Sequence, residues 1–126
     1  MKILFIDPVI VPKVEQLTSV SVKILDKLFN VRKRYLANNL AFQQLAAVTP
    51  KKHTIKLLDE RFDKINFDEE CDVVGITSTL PYSLHSYEIA DEFRKRSKIV
   101  VFGGSHATLL PEETKKHADS VVIGEA

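Results

Sequence analysis

The sequence contains a single cysteine, Cys71, among its 126 residues. It therefore cannot form an internal disulfide framework, a Cys-x-x-Cys redox pair or an iron–sulfur cluster held by cysteines of this chain alone. One unpaired thiol suits a reducing compartment, so we expect a cytoplasmic protein. Cys71 directly precedes a predicted strand and is expected to pack as a small apolar residue.

The sequence also lacks a large net charge and long apolar runs. Eighteen Lys and Arg residues against seventeen Asp and Glu residues leave a net charge of +1. The chain thus has no overall field that would hold nucleic acid or acidic lipid. No apolar run is long enough to span a bilayer or to serve as a signal peptide. We expect neither a nucleic-acid partner nor a membrane partner.

The usual phosphate-binding and metal-binding motifs are absent as well. No G-x-G-x-x-G follows the first predicted strand and no G-x-x-x-x-G-K occurs, so dinucleotide and P-loop nucleotide binding are not expected. No two histidines have the spacing of a zinc site, and the acidic residues between 59 and 70 match no calcium loop. We assign no metal ion to side chains of this chain.

Five short segments rich in Val and Ile are present instead. They lie at residues 3–6, 55–58, 72–77, 99–102 and 120–123. Continuous apolar runs of this length are typical of strands buried inside a parallel sheet. Helical patterns separate most of them: residues 35–48, a segment that starts at Pro81 and ends near Arg96, and a shorter one that starts at Pro111. This alternation predicts one doubly wound α/β domain, a three-layer sandwich with a five-stranded parallel sheet.

Residues 8–34 do not fit this scheme, because they form an unusually long connection for so small a domain. Alternating apolar residues favour a strand, whereas other apolar residues in the same segment share a helix face. Two interpretations remain open: a surface excursion, or a lid or contact surface for a neighbouring domain.

Ligands of open α/β sheets bind beyond the carboxyl ends of the strands, where the strand order reverses. The residues of interest at these ends are Asp7, Ser78, Thr79, Leu80, Gly103, Gly104, Ser105, His106 and Gly124. Adjacent glycines let a backbone approach a ligand closely, and a hydroxyl at a strand end can bond a buried ring nitrogen. The same hydroxyls could instead cap the following helix, and the glycines could form a tight turn. If a ligand passes Gly104, Gly104→Val should abolish binding with little loss of fold.

Two of these elements, Ser78-x-Leu80 and Gly103-Gly104, resemble the S-x-L and G-G elements of cobalamin-binding domains. Other segments are similar to the N-terminal domain of B12-dependent radical SAM proteins: Asp59-Glu60, residues 87–94, residues 103–113 (G-G-S-H-A-T-L-L-P-E-E) and residues 122–125 (V-I-G-E). The similarity extends over nearly the whole chain from Lys2, and residues 103–113 are its most specific part.

The resemblance implies a Rossmann-like (flavodoxin-like) fold that buries the nucleotide tail of cobalamin, with the nine residues at the strand ends as cofactor contacts. It implies further that residues 1–126 are the N-terminal part of a longer enzyme of methyltransferase or cyclase type. The iron–sulfur cluster and S-adenosylmethionine would then belong to a C-terminal radical SAM barrel. The chain would position cobalamin for chemistry in that barrel, so no catalytic side chain is expected here.

The sequence departs from other cobalamin-binding domains at Asp7, which is followed by Pro8 and Val9 instead of the Asp-x-His-x-x-Gly pattern. No lower histidine ligand for cobalt is therefore expected from that position. One alternative is a flavodoxin-like interaction domain that has lost cofactor binding. Another is a small enzyme that uses Ser78, Ser105 and His106, although no nucleophile-elbow pattern accompanies them.

Overall fold

The part of the protein described by the computed structural model, residues 1–9 and 40–124, is built on one parallel sheet. The strands are β1 (Lys2–Asp7), β2 (Thr54–Asp59), β3 (Val73–Thr77), β4 (Ile99–Gly103) and β5 (Ser120–Val121). They pair in the order β2-β1-β3-β4-β5. All five predicted strands and their parallel arrangement are confirmed. Most of the ambiguous connection, from residue 10 onward, and the first five residues of the helix predicted at 35–48 lie outside the described residues.

The strand order places the topological switch point at β1. β1 pairs with β2 on one side and with β3 on the other, so successive strands lie on opposite sides of it. The connections leaving the carboxyl ends of β1 and β3 therefore diverge, which creates a crevice at that edge of the sheet.

In the described part of the chain, four helices and two short 3₁₀ turns lie between the strands. They are α1 (Leu40–Val48), α2 (Ser83–Lys95), α3 (Ser105–Leu109) and α4 (Pro111–Thr114), with 3₁₀ turns at Leu80–Tyr82 and Lys115–His117. Pro81 lies in the 3₁₀ turn just before α2. Arg94 and Lys95 occupy the last turn of α2, where positive charge complements the negative end of the helix dipole.

One face of the sheet is sealed by α2. The fully buried side chains on this side alternate along each strand, as the two-residue period of a strand requires. They are Leu4 and Ile6 of β1, Val74 and Ile76 of β3, and Val100 and Phe102 of β4. From α2, Tyr87, Ile89, Ala90 and Phe93 pack against them at helical spacing.

The opposite face of the sheet is covered by α1 in part. The Phe5 ring of β1 stacks on the Phe42 ring of α1, with centroids 4.9 Å apart and planes inclined by 17°. The neighbouring strand residues Val73 and Val101 are only half-buried. With a layer on each face, the chain has the Rossmann-like, flavodoxin-like three-layer architecture, and among the described residues α1 leaves part of the second face uncovered.

Within residues 1–9 and 40–124, no helix combines the length and the apolar character that crossing a lipid bilayer demands.

The two strand glycines that face α1 should differ in how an added methyl group affects stability. A Cβ on Gly75 would lie 2.6 Å from Cδ1 of Phe5, whereas a Cβ on Gly103 would meet nothing closer than Val122 Cβ at 4.0 Å. Gly75→Ala should therefore displace Phe5 from its stack on Phe42 and lower the free energy of unfolding by about 1–3 kcal/mol. Gly103→Ala, the matched control, should leave it within about 0.5 kcal/mol of the original. Urea unfolding followed by circular dichroism measures both, and equal midpoints for the two variants would contradict this packing.

Candidate functional site

A cavity of about 920 Å³ lies on the half-covered sheet face and reaches the carboxyl ends of β3 and β4. Its volume is within the range of roughly 300–1,000 Å³ that small-molecule and cofactor sites occupy. The residues that line it are Ile3, Phe5, Ala41, Phe42, Gln44, Leu45, Val73, Gly75, Ile76, Thr77, Val101, Phe102, Gly103, Gly104, Ser105, Thr108, Leu109, Val122 and Gly124. None of these residues is charged. The described wall of the cavity therefore suits a largely apolar group.

Gly103, the last residue of β4, leaves open space in the cavity wall. It alternates with Val101, so both residues face the cavity side of the strand. Its φ is not in the left-handed region, so another residue could adopt the same backbone. A Cβ at position 103 would therefore have room on the cavity side, with Val122 Cβ, at 4.0 Å, as its nearest described neighbour.

Gly104 joins the loop after β4 to the loop after β3. Its φ of 95° is one that residues with a side chain rarely adopt. A Cβ there would lie 2.8 Å from the Ser78 carbonyl oxygen and 2.9 Å from Thr77 Oγ1. The backbones approach so closely because Ser78 N–H donates to the Gly103 carbonyl at 2.9 Å and His106 N–H donates to the Ser78 carbonyl at 3.0 Å.

The expectation that Gly104→Val would spare the fold is therefore wrong. A valine Cβ would collide with the backbone of Ser78 before it reached any ligand, and its φ would be strained. Gly103, not Gly104, is the position at which a side chain tests occupation of the cavity.

The hydroxyl that reaches the cavity belongs to Thr77, one residue before the predicted Ser78. Thr77, the last residue of β3, lines the cavity, whereas Ser78 does not. The Ser78 side chain is completely buried, and its Oγ has no hydrogen-bond partner among the described residues. The contact predicted for the Ser78 hydroxyl stays a prediction.

The other predicted site residues divide into two groups. Gly103, Gly104, Ser105 and Gly124 are brought together in the cavity wall. Gly124 N–H donates to Thr108 Oγ1 at 3.0 Å, which fixes the chain after β5 against α3. The remaining five do not line the cavity: Asp7, Ser78, Thr79, Leu80 and His106. Of these, Thr79 and Leu80 are exposed to solvent.

The His106 side chain points away from the cavity into a buried polar network. Its Nε2 lies 2.8 Å from the Tyr87 hydroxyl, which donates to Glu113 Oε1 at 3.1 Å and lies 3.2 Å from Thr114 Oγ1. The Thr114 hydroxyl donates to the Leu110 carbonyl at 3.0 Å. With the Tyr87 proton directed to Glu113, His106 Nε2 is the donor to the phenol oxygen. His106 thus anchors α3 to α2.

This network is a structural support and holds no arrangement for nucleophilic catalysis. Burial raises the pKa of the Tyr87 phenol, and the Glu113 hydrogen bond adds to this effect, against the opposing Thr114 bond. The phenol is therefore neutral at ordinary pH. No hydrogen bond connects His106 to Ser78 or Ser105 side chains among the described residues, and His106 Nδ1 has no partner there. The geometry gives no support to a small enzyme built on these three residues.

Asp7 lies in a charged cluster at the carboxyl ends of β1 and β2. Arg61 Nη2 is 3.6 Å from Asp7 Oδ2, and Arg61 Nε donates to both oxygens of Asp59 at 2.7 and 2.9 Å. Burial would raise the pKa of the Asp59 carboxyl, but the Arg61 hydrogen bonds outweigh it and hold that pKa below its usual value. Asp7 is thus engaged by an arginine at the sheet edge and does not line the cavity.

Glu60 connects this edge to α2. Its Oε2 accepts from the Val9 N–H at 3.0 Å and lies 2.7 Å from His85 Nε2. Although carboxylates and imidazoles meet here, residues 1–9 and 40–124 contain no group of three His, Cys, Asp or Glu side chains placed to hold a metal ion.

Sequence reasoning missed the side chains that form most of the cavity wall. Phe5 and Phe42 were expected in a strand and a helix, but their stacking joins residues 37 positions apart and leaves no local signal. Thr77 could have been found from the alternation of β3. Val74 and Ile76 mark the face that packs against α2, so Gly75 and Thr77 are expected on the opposite face.

Comparison with known proteins agrees with this geometry. Residues 20–126 match the sequence model of the B12 binding domain. Two relatives from Chlorobaculum tepidum are bacteriochlorophyllide d C-8(2)-methyltransferase, 53% identical over 89 residues, and bacteriochlorophyllide d C-12(1)-methyltransferase, 39% identical over 83 residues. These alignments cover 70% and 64% of this chain but only 20% and 18% of the two enzymes.

A third relative, an uncharacterized methyltransferase of Pyrococcus horikoshii, is 29% identical over 99 residues, which are 68% of this chain and 22% of that protein. No solved structure matches the chain. The chain thus spans about a fifth of the length of these relatives. Since the B12 binding domain match covers well over half of the sequence, the chain belongs to the B12-binding domain family.

Proposed function

We propose that this chain is the cobalamin-binding domain of a longer B12-dependent radical SAM methyltransferase, and that its cavity receives the nucleotide tail of cobalamin. The observation that carries the proposal is the position of the cavity. It lies against β1, β3 and β4 and ends at Gly103 and Gly104, at the carboxyl edge of the sheet where an open α/β fold binds its ligands. Membership of the B12-binding domain family supplies the identity of the ligand.

The residues of the cavity fit such a group. Phe5, Phe42 and Val101 offer apolar walls for an aromatic base, and no charged side chain is present among the described lining residues. The missing Cβ of Gly103 leaves room where a ligand would pass the sheet. Thr77 supplies a hydroxyl on the same wall. The backbones of Gly103, Gly104, Ser105 and Gly124 would hold the tail at the carboxyl edge.

The role of this chain in catalysis is to bind and to orient. Cobalamin supplies a cobalt–carbon bond through which a methyl group can be carried. The apolar walls exclude water from the buried tail, and the Gly104 junction fixes the loops that face it. His106 and Tyr87 stabilise α3 from behind and are assigned no chemical step.

The proposal extends to a partner that lies outside this sequence. The curated relatives are about five times as long as the regions they share with this chain, and all three are named as methyltransferases. We assign the iron–sulfur cluster and S-adenosylmethionine to a C-terminal radical SAM barrel of the same polypeptide. Methyl transfer is favoured over cyclisation by the names of these relatives. The cytoplasmic location stays a prediction.

Gly103→Leu should block the cavity without breaking the fold. The added side chain extends from a wall position with open space, so it competes with the cofactor tail and not with neighbouring backbone. We expect cobalamin affinity to fall by about 1–3 kcal/mol, roughly 5- to 150-fold. Equilibrium dialysis against hydroxocobalamin, with the bound corrin measured by visible absorbance, gives the affinities of variant and original chain.

Gly103→Ala is the matched control and should keep most of the affinity, because one methyl group occupies little of a 920 Å³ cavity. Unchanged binding by a folded Gly103→Leu variant would place the cofactor elsewhere. Absence of binding by the folded original chain would contradict the proposed function and favour an interaction domain.

Thr77→Val and Ser78→Ala distinguish the hydroxyl inside the cavity from the one outside it. Removing the Thr77 hydroxyl should weaken cobalamin binding by about 0.5–1.5 kcal/mol, roughly 2- to 12-fold, through loss of one hydrogen bond. Ser78→Ala should leave the affinity unchanged, since Ser78 does not line the cavity. The same dialysis assay measures both. A loss confined to Ser78→Ala would assign the ligand contact to Ser78 instead.

A further inference from the structure

The deep part of the cavity, away from the carboxyl edge, is lined among the described residues by aliphatic and aromatic side chains. Ile3, Val73 and Val101 project from three neighbouring strands, and Phe42 and Leu45 face them from α1. β1, β3 and β4 are hydrogen-bonded to neighbours on both sides, so their backbone groups are already engaged in the parallel ladder. A polar group inserted here would find no hydrogen-bond partner on the sheet.

The polar groups of the cavity gather near the carboxyl edge instead. Thr77, Ser105 and Thr108 lie at or beyond the ends of β3 and β4. The Thr108 hydroxyl is already used, since it donates to the Gly104 carbonyl at 2.9 Å and accepts from Gly124 N–H. Gln44, the one polar residue of α1 on the described wall, is largely exposed to solvent. The cavity is therefore polar at its edge and apolar at depth.

This gradient bears on the chemistry of the ligand, because corrinoids differ in the base at the end of their nucleotide tail. The base can be a benzimidazole, a purine or a phenol. An adenine base carries ring nitrogens and an amino group that are hydrated in water. Burial of those groups against aliphatic side chains would leave them without hydrogen-bond partners. The free-energy cost of an unsatisfied buried polar group exceeds the net gain from a typical hydrogen bond.

We propose that this cavity selects among cobamides by their lower base, accepting benzimidazole and phenol bases and rejecting purines. The inference rests on the proposed function, since it takes the base to be the group that enters the cavity. The selecting surface is the aliphatic wall formed by Val73 and Val101 opposite Leu45. No side chain of that wall carries a hydrogen-bonding atom that would satisfy a purine amino group.

Equilibrium dialysis of the 126-residue chain against four corrinoids tests the selection: cobalamin, cresolyl cobamide, adeninyl cobamide and cobinamide, which lacks the nucleotide. Cobalamin and cresolyl cobamide should bind with affinities within about threefold of each other, and adeninyl cobamide at least about fivefold more weakly. Adeninyl cobamide binding as tightly as cobalamin would overturn the inference. If all four bound equally, the corrin alone would be recognised, so the base selection would fail while cobalamin binding stood. If none bound, the proposed function itself would fail.

Val101→Thr tests whether the aliphatic wall is the surface that selects the base. This change places a hydroxyl on the cavity face of β4 with almost no change in side-chain volume, so it offers a partner to a buried purine. The ratio of adeninyl cobamide to cobalamin dissociation constants should fall by at least about threefold. Ile99→Thr, on the same strand but exposed and outside the cavity, is the control and should leave the ratio unchanged. Equal ratios in a folded Val101→Thr variant and the original chain would contradict selection by this wall.

Discussion

The site depends on one close backbone approach, between the loop that follows β4 and the loop that follows β3. Gly104 makes it possible, because its φ of 95° and its missing Cβ let the chain pass within van der Waals contact of Ser78. Two hydrogen bonds, from Ser78 N–H to Gly103 and from His106 N–H to Ser78, then fix the two loops together. The end of the cavity is formed by this junction, so the geometry that a ligand meets is set by backbone and not by mobile side chains.

The two faces of the sheet differ in function, because side chains alternate between them along each strand. Leu4, Ile6, Val74 and Phe102 fill the side covered by α2, where the His106 and Tyr87 network also lies. Residues between them in sequence face α1 and line the cavity. Because most fully buried side chains lie on the α2 face, substitutions at Gly103 or Val101 should alter binding with limited effect on the core.

The strands and their parallel pairing were predictable, since runs such as residues 99–102 are too short and too apolar for surface helices. The Gly103-Gly104 pair was also identified, but which glycine faces open space depends on backbone angles that carry no sequence signal. Ser78 was identified as a candidate contact and stays one, but sequence reasoning missed that the neighbouring Thr77 lines the cavity while Ser78 does not. The position of His106 could not be predicted, because its partners Tyr87 and Glu113 lie on separate helices. The residues between 10 and 39 remain outside the described structure.

We propose that an apolar cavity between α1 and the strands β3 and β4 holds the tail of cobalamin, and a crystal structure of the chain grown with saturating cobalamin would show whether it does. We expect electron density for the base between Phe42 and Val101, with the nucleotide passing Gly103. Density for the corrinoid at any other surface, or an empty cavity in crystals whose protein binds cobalamin in solution, would contradict it.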